Sequence, residues 1–277
     1  MGALNTIMNV KKAEPVLKPS SPVRKRLLGS LEMQTEVRKQ PTTVGRLLSR
    51  IQPGPSPSLL LGRCADGLPF LIDLGDPHMG AILVSCDQGA GKTHQLQVLA
   101  DSAVRLNAPS DLQIGVLTFK PGEWGAWERI SHRAKFTQGI FAWYDPWAES
   151  LIQNLVELAE ARQDGRRTGA DVLLILDDLN FIEELSFEAQ VNLHWLLAYG
   201  SQANIWVVGA INAHQAVQFR YWVGPFRTRI IGKISSAANA ELLALRGDST
   251  AESLEHGMFR VWTGSGWQTY RLPLLGD

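Results

Sequence analysis

Only two cysteines occur in the sequence, Cys64 and Cys86, and they form neither a metal-ligand spacing nor a disulfide framework. Two reduced thiols suit a cytoplasmic protein, and that location is the expectation. No run of about 18 apolar residues is present, so no membrane-spanning helix is read. The opening MGALNTIMNVKKAEP lacks the order of a secretory signal, which is basic start, apolar stretch and small-residue cleavage site. Internal repeats are missing, which removes solenoids and propellers. The histidines His78, His94, His132, His194, His214 and His256 are scattered, and no metal site is read from them. Net charge is also missing, since 27 Lys and Arg face 27 Asp and Glu.

That zero joins two unlike parts. Residues 1–57 hold ten Lys and Arg against three Asp and Glu, and the remainder holds 17 against 24. The first part is poor in aromatics and rich in Lys, Arg, Pro, Ser and Thr. It reads as a basic, disordered tail with short helical stretches around Val23–Val37 and Thr43–Ile51, ending in the linker Gln52-Pro-Gly-Pro-Ser-Pro-Ser58. Such a tail is either a contact for nucleic acid or an acidic partner, or a solvated linker with no partner.

The body of the chain is rich in short apolar runs. Leu59–Arg63 and Pro69–Asp73 flank a turn at Ala65-Asp-Gly67 and read as a β-hairpin. Buried strands are expected at Gly80–Ser85, Gln113–Phe119, Val172–Leu176, Ile205–Ala210 and Arg229–Ile234. Helical patterns lie at Thr93–Asn107, Glu123–Lys135, Pro146–Arg162 and Phe187–Tyr199. Met258–Thr263 and Trp267–Leu272, joined by Gly-Ser-Gly at 264–266, read as a closing hairpin. Alternating strands and helices imply a mainly parallel sheet covered on both faces.

The strongest chemical signal is Val84-Ser-Cys-Asp-Gln-Gly-Ala-Gly-Lys-Thr93. It fits the phosphate-binding pattern of Gly, four residues, then Gly-Lys-Ser/Thr, except that Cys86 stands at the first Gly. A non-Gly residue is accepted there if its backbone angles are ordinary. The loop follows an apolar strand and opens a helix, so backbone N–H groups and a helix N-terminus converge on one place. Asp87, Gln88, Gly89, Ala90, Gly91, Lys92, Thr93 and His94 are the expected nucleotide-binding residues, with ATP as ligand. Lys92 would reach the β- and γ-phosphates, and the Thr93 hydroxyl would bind Mg²⁺.

Val172-Leu-Leu-Ile-Leu-Asp177-Asp178 is an apolar strand ending in two carboxylates. Asp177 is expected to hold the Mg²⁺ through its water shell. Asp178 stands where many such ATPases carry the Glu that polarises the attacking water. It is one methylene shorter, and working or slow hydrolysis are both compatible with it. The space between Thr93 and Asp177 leaves room for an extra strand, as in a RecA-like P-loop NTPase with a mainly parallel central sheet, flanking helices and edge β-hairpins.

Five further stretches, in this order, resemble the motor domain of FtsK/HerA-type ATPases. They are Leu61–Leu74, Pro77–Val84, Phe119-Lys-Pro-Gly-Glu123, Ala203–Asn212 and Arg227-Thr-Arg-Ile-Ile-Gly-Lys-Ile-Ser-Ser236. The resemblance runs from about Leu61 onward and places a FtsK/HerA-type ATPase domain at 58–277. It implies DNA-stimulated ATP hydrolysis, translocation of double-stranded DNA, and a ring of identical subunits, a hexamer. Lys120 is the match for a basic residue that faces phosphates or a neighbouring subunit; the other reading is a solvated lysine. The strand-end Gln that senses nucleotide has no clear equivalent: Ile211 or Asn212 stands there, and Asn212 is the better match because its amide can bridge a water to a phosphate. Arg229 matches the family's Thr-Arg, and either acts on a neighbour's ATP or makes a structural ion pair. Ser201 or a near neighbour stands where FtsK has an Arg. Substrate choice would fall to a recruiting protein bound through the basic tail, with no membrane partner. A secretion- or conjugation-type ATPase and a nucleotide-gated scaffold with weak hydrolysis are the alternatives.

Overall fold

Side chains along each central strand alternate between two buried clusters, and this alternation sets one sheet between two layers. The structure is a computed structural model that describes residues 42–49, 51, 57–124, 139–244, 251–263 and 266–276. Its strands are β1 (Ser58–Arg63), β2 (Pro69–Asp73), β3 (Ile82–Cys86), β4 (Leu112–Thr118), β5 (Gly139–Ala142), β6 (Asp171–Asp177), β7 (Ile205–Asn212), β8 (Thr228–Ile231), β9 (Met258–Trp262) and β10 (Trp267–Arg271). They form a ten-stranded sheet in the order β2-β1-β10-β9-β8-β3-β7-β6-β4-β5. The six strands from β8 to β5 are parallel, and β9, β10, β1 and β2 extend the sheet antiparallel. This is a mainly parallel α/β fold with edge hairpins.

The helices are α1 (Val44–Leu48), α2 (Lys92–Leu106), α3 (Pro146–Gln163), α4 (Phe187–Tyr199), α5 (Arg220–Val223) and α6 (Ala237–Ala244). On one face Leu83, Leu174, Val207 and Ile231 pack with Leu151 and Leu155 of α3 and Leu193 and Leu196 of α4. On the other, Ile82, Val84, Ile175 and Val208 pack with Leu96, Leu99 and Ala103 of α2 and with the edge strands. Capping fixes where these helices start. The Asp145 carboxylate accepts from Trp147 N with Pro146 at the first helical position, and the Ser186 hydroxyl accepts from Ala189 N.

Several boundaries differ from the sequence reading. Composition extends the tail to residue 57, yet α1 is part of the folded body. Val44, Leu47 and Leu48 pack on Leu60, Val98 and Leu106. Backbone bonds from Val44 N to Leu274 O, 2.9 Å, and from Leu274 N to Thr42 O, 2.9 Å, tie the segment to the chain's last described stretch. Three apolar residues on one turn outweigh the basic composition around them. β5 and α6 carry too little pattern to be read from sequence, being a four-residue strand and a short Ala-rich helix. Pro121–Trp124 is a single 3₁₀ turn, while the rest of the helix expected over Glu123–Lys135 lies outside the described residues, as does Val23–Val37. Among the described residues no helix is long and apolar enough to cross a membrane.

Candidate nucleotide site

β3 ends at Cys86, and the chain then turns through Asp87–Gly91 into α2 at Lys92. Gly89 has φ 76° and Gly91 φ 109°, conformations that L side chains rarely adopt. They let the loop curl so that α2 begins directly above the strand end. Among the described residues, the N–H groups of Gly89, Gly91 and Thr93 have no backbone acceptor, and that of Lys92 faces the Cys86 thiol. That is a cluster of available donors at a helix N-terminus, the arrangement that takes an anion. The Lys92 ammonium folds over the same loop. It donates to Asn212 Oδ1 at 2.5 Å and to the carbonyls of Asp87 and Cys86 at 3.3 and 3.5 Å.

Cys86 fits its unusual position for two reasons. The only described non-glycine residues with positive φ are Asp178 and Asn204, so Cys86 needs no glycine-like backbone. Its side chain turns inward beside Gly232 on the following segment, where an added Cβ would come within 2.9 Å of the Cys86 Cβ. The thiol is fully buried, and burial pushes its pKa up to about 11. Asp87 then anchors the loop from outside. Its backbone N–H donates to Lys233 O at 2.8 Å, and its carboxylate accepts from Ser235 N at 2.8 Å and Ser235 Oγ at 2.7 Å. Sequence reading missed Ser235, although its place just past an apolar strand was a signal.

β6 brings Asp177 to the loop, 84 residues from Thr93. The Thr93 hydroxyl donates to Asp177 Oδ1 at 3.1 Å. Asp177 Oδ2 accepts from Thr118 Oγ1 at 3.3 Å and from the Trp124 indole Nε1 at 3.0 Å. Thr118 and Asp177 sit opposite one another in the β4–β6 register. Burial pushes the Asp177 carboxyl up, and the hydrogen bonds from Trp124, Thr93 and Thr118 pull it back. A hydroxyl and a carboxylate side by side next to available N–H donors form the hard-oxygen donor set that suits Mg²⁺. Thr93 and Asp177 are the residues that would hold the ion, and it would neutralise charge on phosphate oxygens.

Other predicted residues lie in different settings. Asp178 has φ 81° and ψ 111°, a strained conformation for a side-chain-bearing residue. Its carboxylate accepts from Asn180 N at 3.1 Å, capping the turn Leu179–Glu184. Burial raises its pKa, with the Asn180 bond and Lys92 pulling down and Asp177 pushing up. Asn212 is at the loop through Lys92. His94, in the first turn of α2, places Nε2 2.8 Å from Pro273 O. Gln88 is exposed and Ala90 buried. Lys120 is exposed and pairs with Glu123 at 3.2 Å, not with a loop residue.

Arg229 is not brought to the site. It pairs with Leu83, three residues before the end of β3, and it is 3% exposed. Nε donates to Phe226 O at 3.0 Å and Nη2 to Val223 O at 2.6 Å, while Nη1 has no partner. Burial lowers its pKa to about 10. It supports the end of α5 from inside, bonded to backbone carbonyls and not to the carboxylate of the ion pair foreseen from the sequence. Arg229 also lines a cleft of about 470 Å³, with Phe70, Met79, Thr228, Val261 and Trp262, near the start of β3 and away from the phosphate loop.

No family model and no curated protein matches the sequence. Solved structures do match in fold. ATPases 2 and 3 of Thermomonospora curvata EccC, in complex with a signal sequence peptide, superpose with a TM-score of 0.67 at 16% identity, covering 85% of this chain and 43% of that one. ATPases 2 and 3 of EssC from Geobacillus thermodenitrificans give 0.65 at 14% identity, covering 80% and 45%. The pCW3 conjugation coupling protein TcpA, solved with ATPγS, gives 0.54 at 15% identity, covering 78% and 65%. The chain spans less than half of the first two. At these identities the likeness is one of fold alone, the RecA-like P-loop NTPase fold.

Proposed function

We propose that this chain binds ATP with Mg²⁺ in the Asp87–Thr93 loop and hydrolyses it to move double-stranded DNA, working in a ring of identical subunits, six by the resemblance to FtsK/HerA ATPases. The observation that carries the nucleotide reading is the convergence of loop N–H donors, the Lys92 ammonium and the Thr93–Asp177 pair on one strand end. On ATP binding, Lys92 exchanges its carbonyl and Asn212 partners for the β- and γ-phosphates. The loop N–H groups take the remaining phosphate oxygens. Thr93 and Asp177 would hold Mg²⁺, which would supply charge neutralisation on the phosphate oxygens. Asp178 leaves Asn180 to orient the attacking water, and Asn212, freed from Lys92, faces the terminal phosphate. Gripping of DNA is through its backbone and therefore salt-sensitive. The basic first segment recruits the partner that chooses the substrate.

One observation favours a second reading. The carboxylate that would orient water is engaged in a strained cap, which suits a nucleotide-gated scaffold, or a secretion- or conjugation-type ATPase that hydrolyses slowly until a partner rearranges it. ATP turnover by the purified chain, with and without double-stranded DNA and beside Lys92→Ala, separates the readings. Turnover that rises with DNA and vanishes in the variant supports the motor. ATP binding with turnover at the level of the variant, DNA present, overturns it in favour of the scaffold.

A further inference from the structure

Trp124 is fully buried and is the bulkiest of the fully buried side chains among the described residues. Its one polar atom, Nε1, spends its hydrogen bond on Asp177 Oδ2, 53 residues away in sequence, at 3.0 Å. The turn that carries it is tied down on two further sides. Gln97 of α2 donates to Glu123 O at 2.9 Å, and Lys120 N donates to the Thr118 hydroxyl at 3.0 Å. That same hydroxyl donates to Asp177 Oδ2. The two carboxylate oxygens thus have separate duties. Oδ2 is held by two donors from β4 and the turn after it, and Oδ1 faces Thr93.

A phenylalanine would fill the same apolar space without needing an acceptor, whereas a buried indole N–H usually takes one; that of Trp143 has none. Here it finds the carboxylate whose orientation matters most. We propose that Trp124 is a positioning residue for the metal-holding carboxylate: its indole fixes Asp177 so that Oδ1 stays presented beside Thr93. The turn Pro121–Trp124, braced on the phosphate-loop helix through Gln97, is then a strut joining the two motifs that hold nucleotide and ion. Outer partners of this kind set ligand orientation, and their removal weakens metal affinity by roughly 10- to 100-fold.

This inference rests on the nucleotide reading, and its test separates the two. The affinity for a non-hydrolysable ATP analogue is measured with Mg²⁺ and with chelator, for the wild-type chain and Trp124→Phe. The expected result is an unchanged affinity in chelator and a loss of about 10-fold in the gain that Mg²⁺ brings. A wild-type chain that binds no analogue overturns the nucleotide reading and this inference with it. Wild-type binding with the same Mg²⁺ gain in Trp124→Phe overturns this inference alone. Should that variant fail to fold, the indole N–H resonances of the wild-type chain and Asp177→Asn decide. One indole signal is expected to move in Asp177→Asn, and to move in the wild type when Mg²⁺ and analogue are added together. No such signal overturns the proposal.

Discussion

The half of the site that would hold phosphates and ion is, Lys92 apart, made of groups already in place, while the half that would activate water is made of groups engaged elsewhere. In the first, Gly89 and Gly91 shape the loop, Asp87 is clasped by Ser235, and Asp177 is held by Thr93, Thr118 and Trp124. In the second, Asp178 caps Asn180, Asn212 holds Lys92, Lys120 pairs with Glu123 and Arg229 is buried away from the loop. Backbone fixed by a sheet and a helix needs no trigger to bind an anion. Side chains with other partners must be released first, and that release is where a substrate or neighbouring subunit can exert control.

Asp178→Asn tests the second half and carries the largest expected effect. Asn can keep the cap and tolerates positive φ, so the fold should survive. Turnover should fall by about 100-fold with ATP affinity retained, the loss expected when a group assisting proton transfer is removed. Unchanged turnover would make Asp178 a cap and nothing more.

Asp177→Asn tests the first half. The affinity gain that Mg²⁺ brings should disappear, as read by nucleotide titration with and without the ion. The variant should also melt higher than wild type at neutral pH without ion. Burial raises the folded-state pKa of Asp177 above 3.8, so its ionised form is disfavoured in the fold. The group therefore favours folding most below that value. Its contribution declines as pH rises from 3.8 through the raised folded value, and stays low beyond it. Thermal melts across that window should show a decline in wild type that is reduced in the variant.

Arg229→Met sharpens the comparison from outside the site. Two carbonyls, of Val223 and Phe226, lose their donor, which should lower stability by about 2 kcal/mol in a denaturant titration. Turnover per folded molecule should not change. Lost turnover at undiminished stability would place Arg229 in the reaction after all. The smallest effect is expected of Cys86→Gly, which restores the full loop pattern. Because Cys86 already has ordinary backbone angles, ATP affinity should hold, and stability should drop by about 1 kcal/mol from the added backbone freedom.

Much of the binding half was legible in the sequence because it is local. A strand, a glycine-shaped turn and a helix start fall within ten residues, and the apolar run before Asp177 marks a strand end by itself. The parallel core and both hairpins followed from the same short-range patterns. What could not be read depends on which strands become neighbours. Thr118 reaches Asp177 only because β4 lies beside β6, and Trp124 reaches it across 53 residues. Arg229 shows the converse. Its Thr-Arg-Ile-Ile setting matched a motif, yet in β8 its side chain points to the buried face that also takes Leu83 and Ile231. The helix around Thr43–Ile51 was read, but its docking was not: the basic residues around it placed it in the tail, since composition averages over a window and three buried side chains do not.

The central claim is that the loop around Lys92 is a nucleotide site, and calorimetric titration of the purified chain with an ATP analogue in the presence of Mg²⁺ tests it most directly. The account predicts saturable binding by the wild-type chain and none by Lys92→Ala folded to the same degree. Equal binding by both, or none by the wild type, would contradict it.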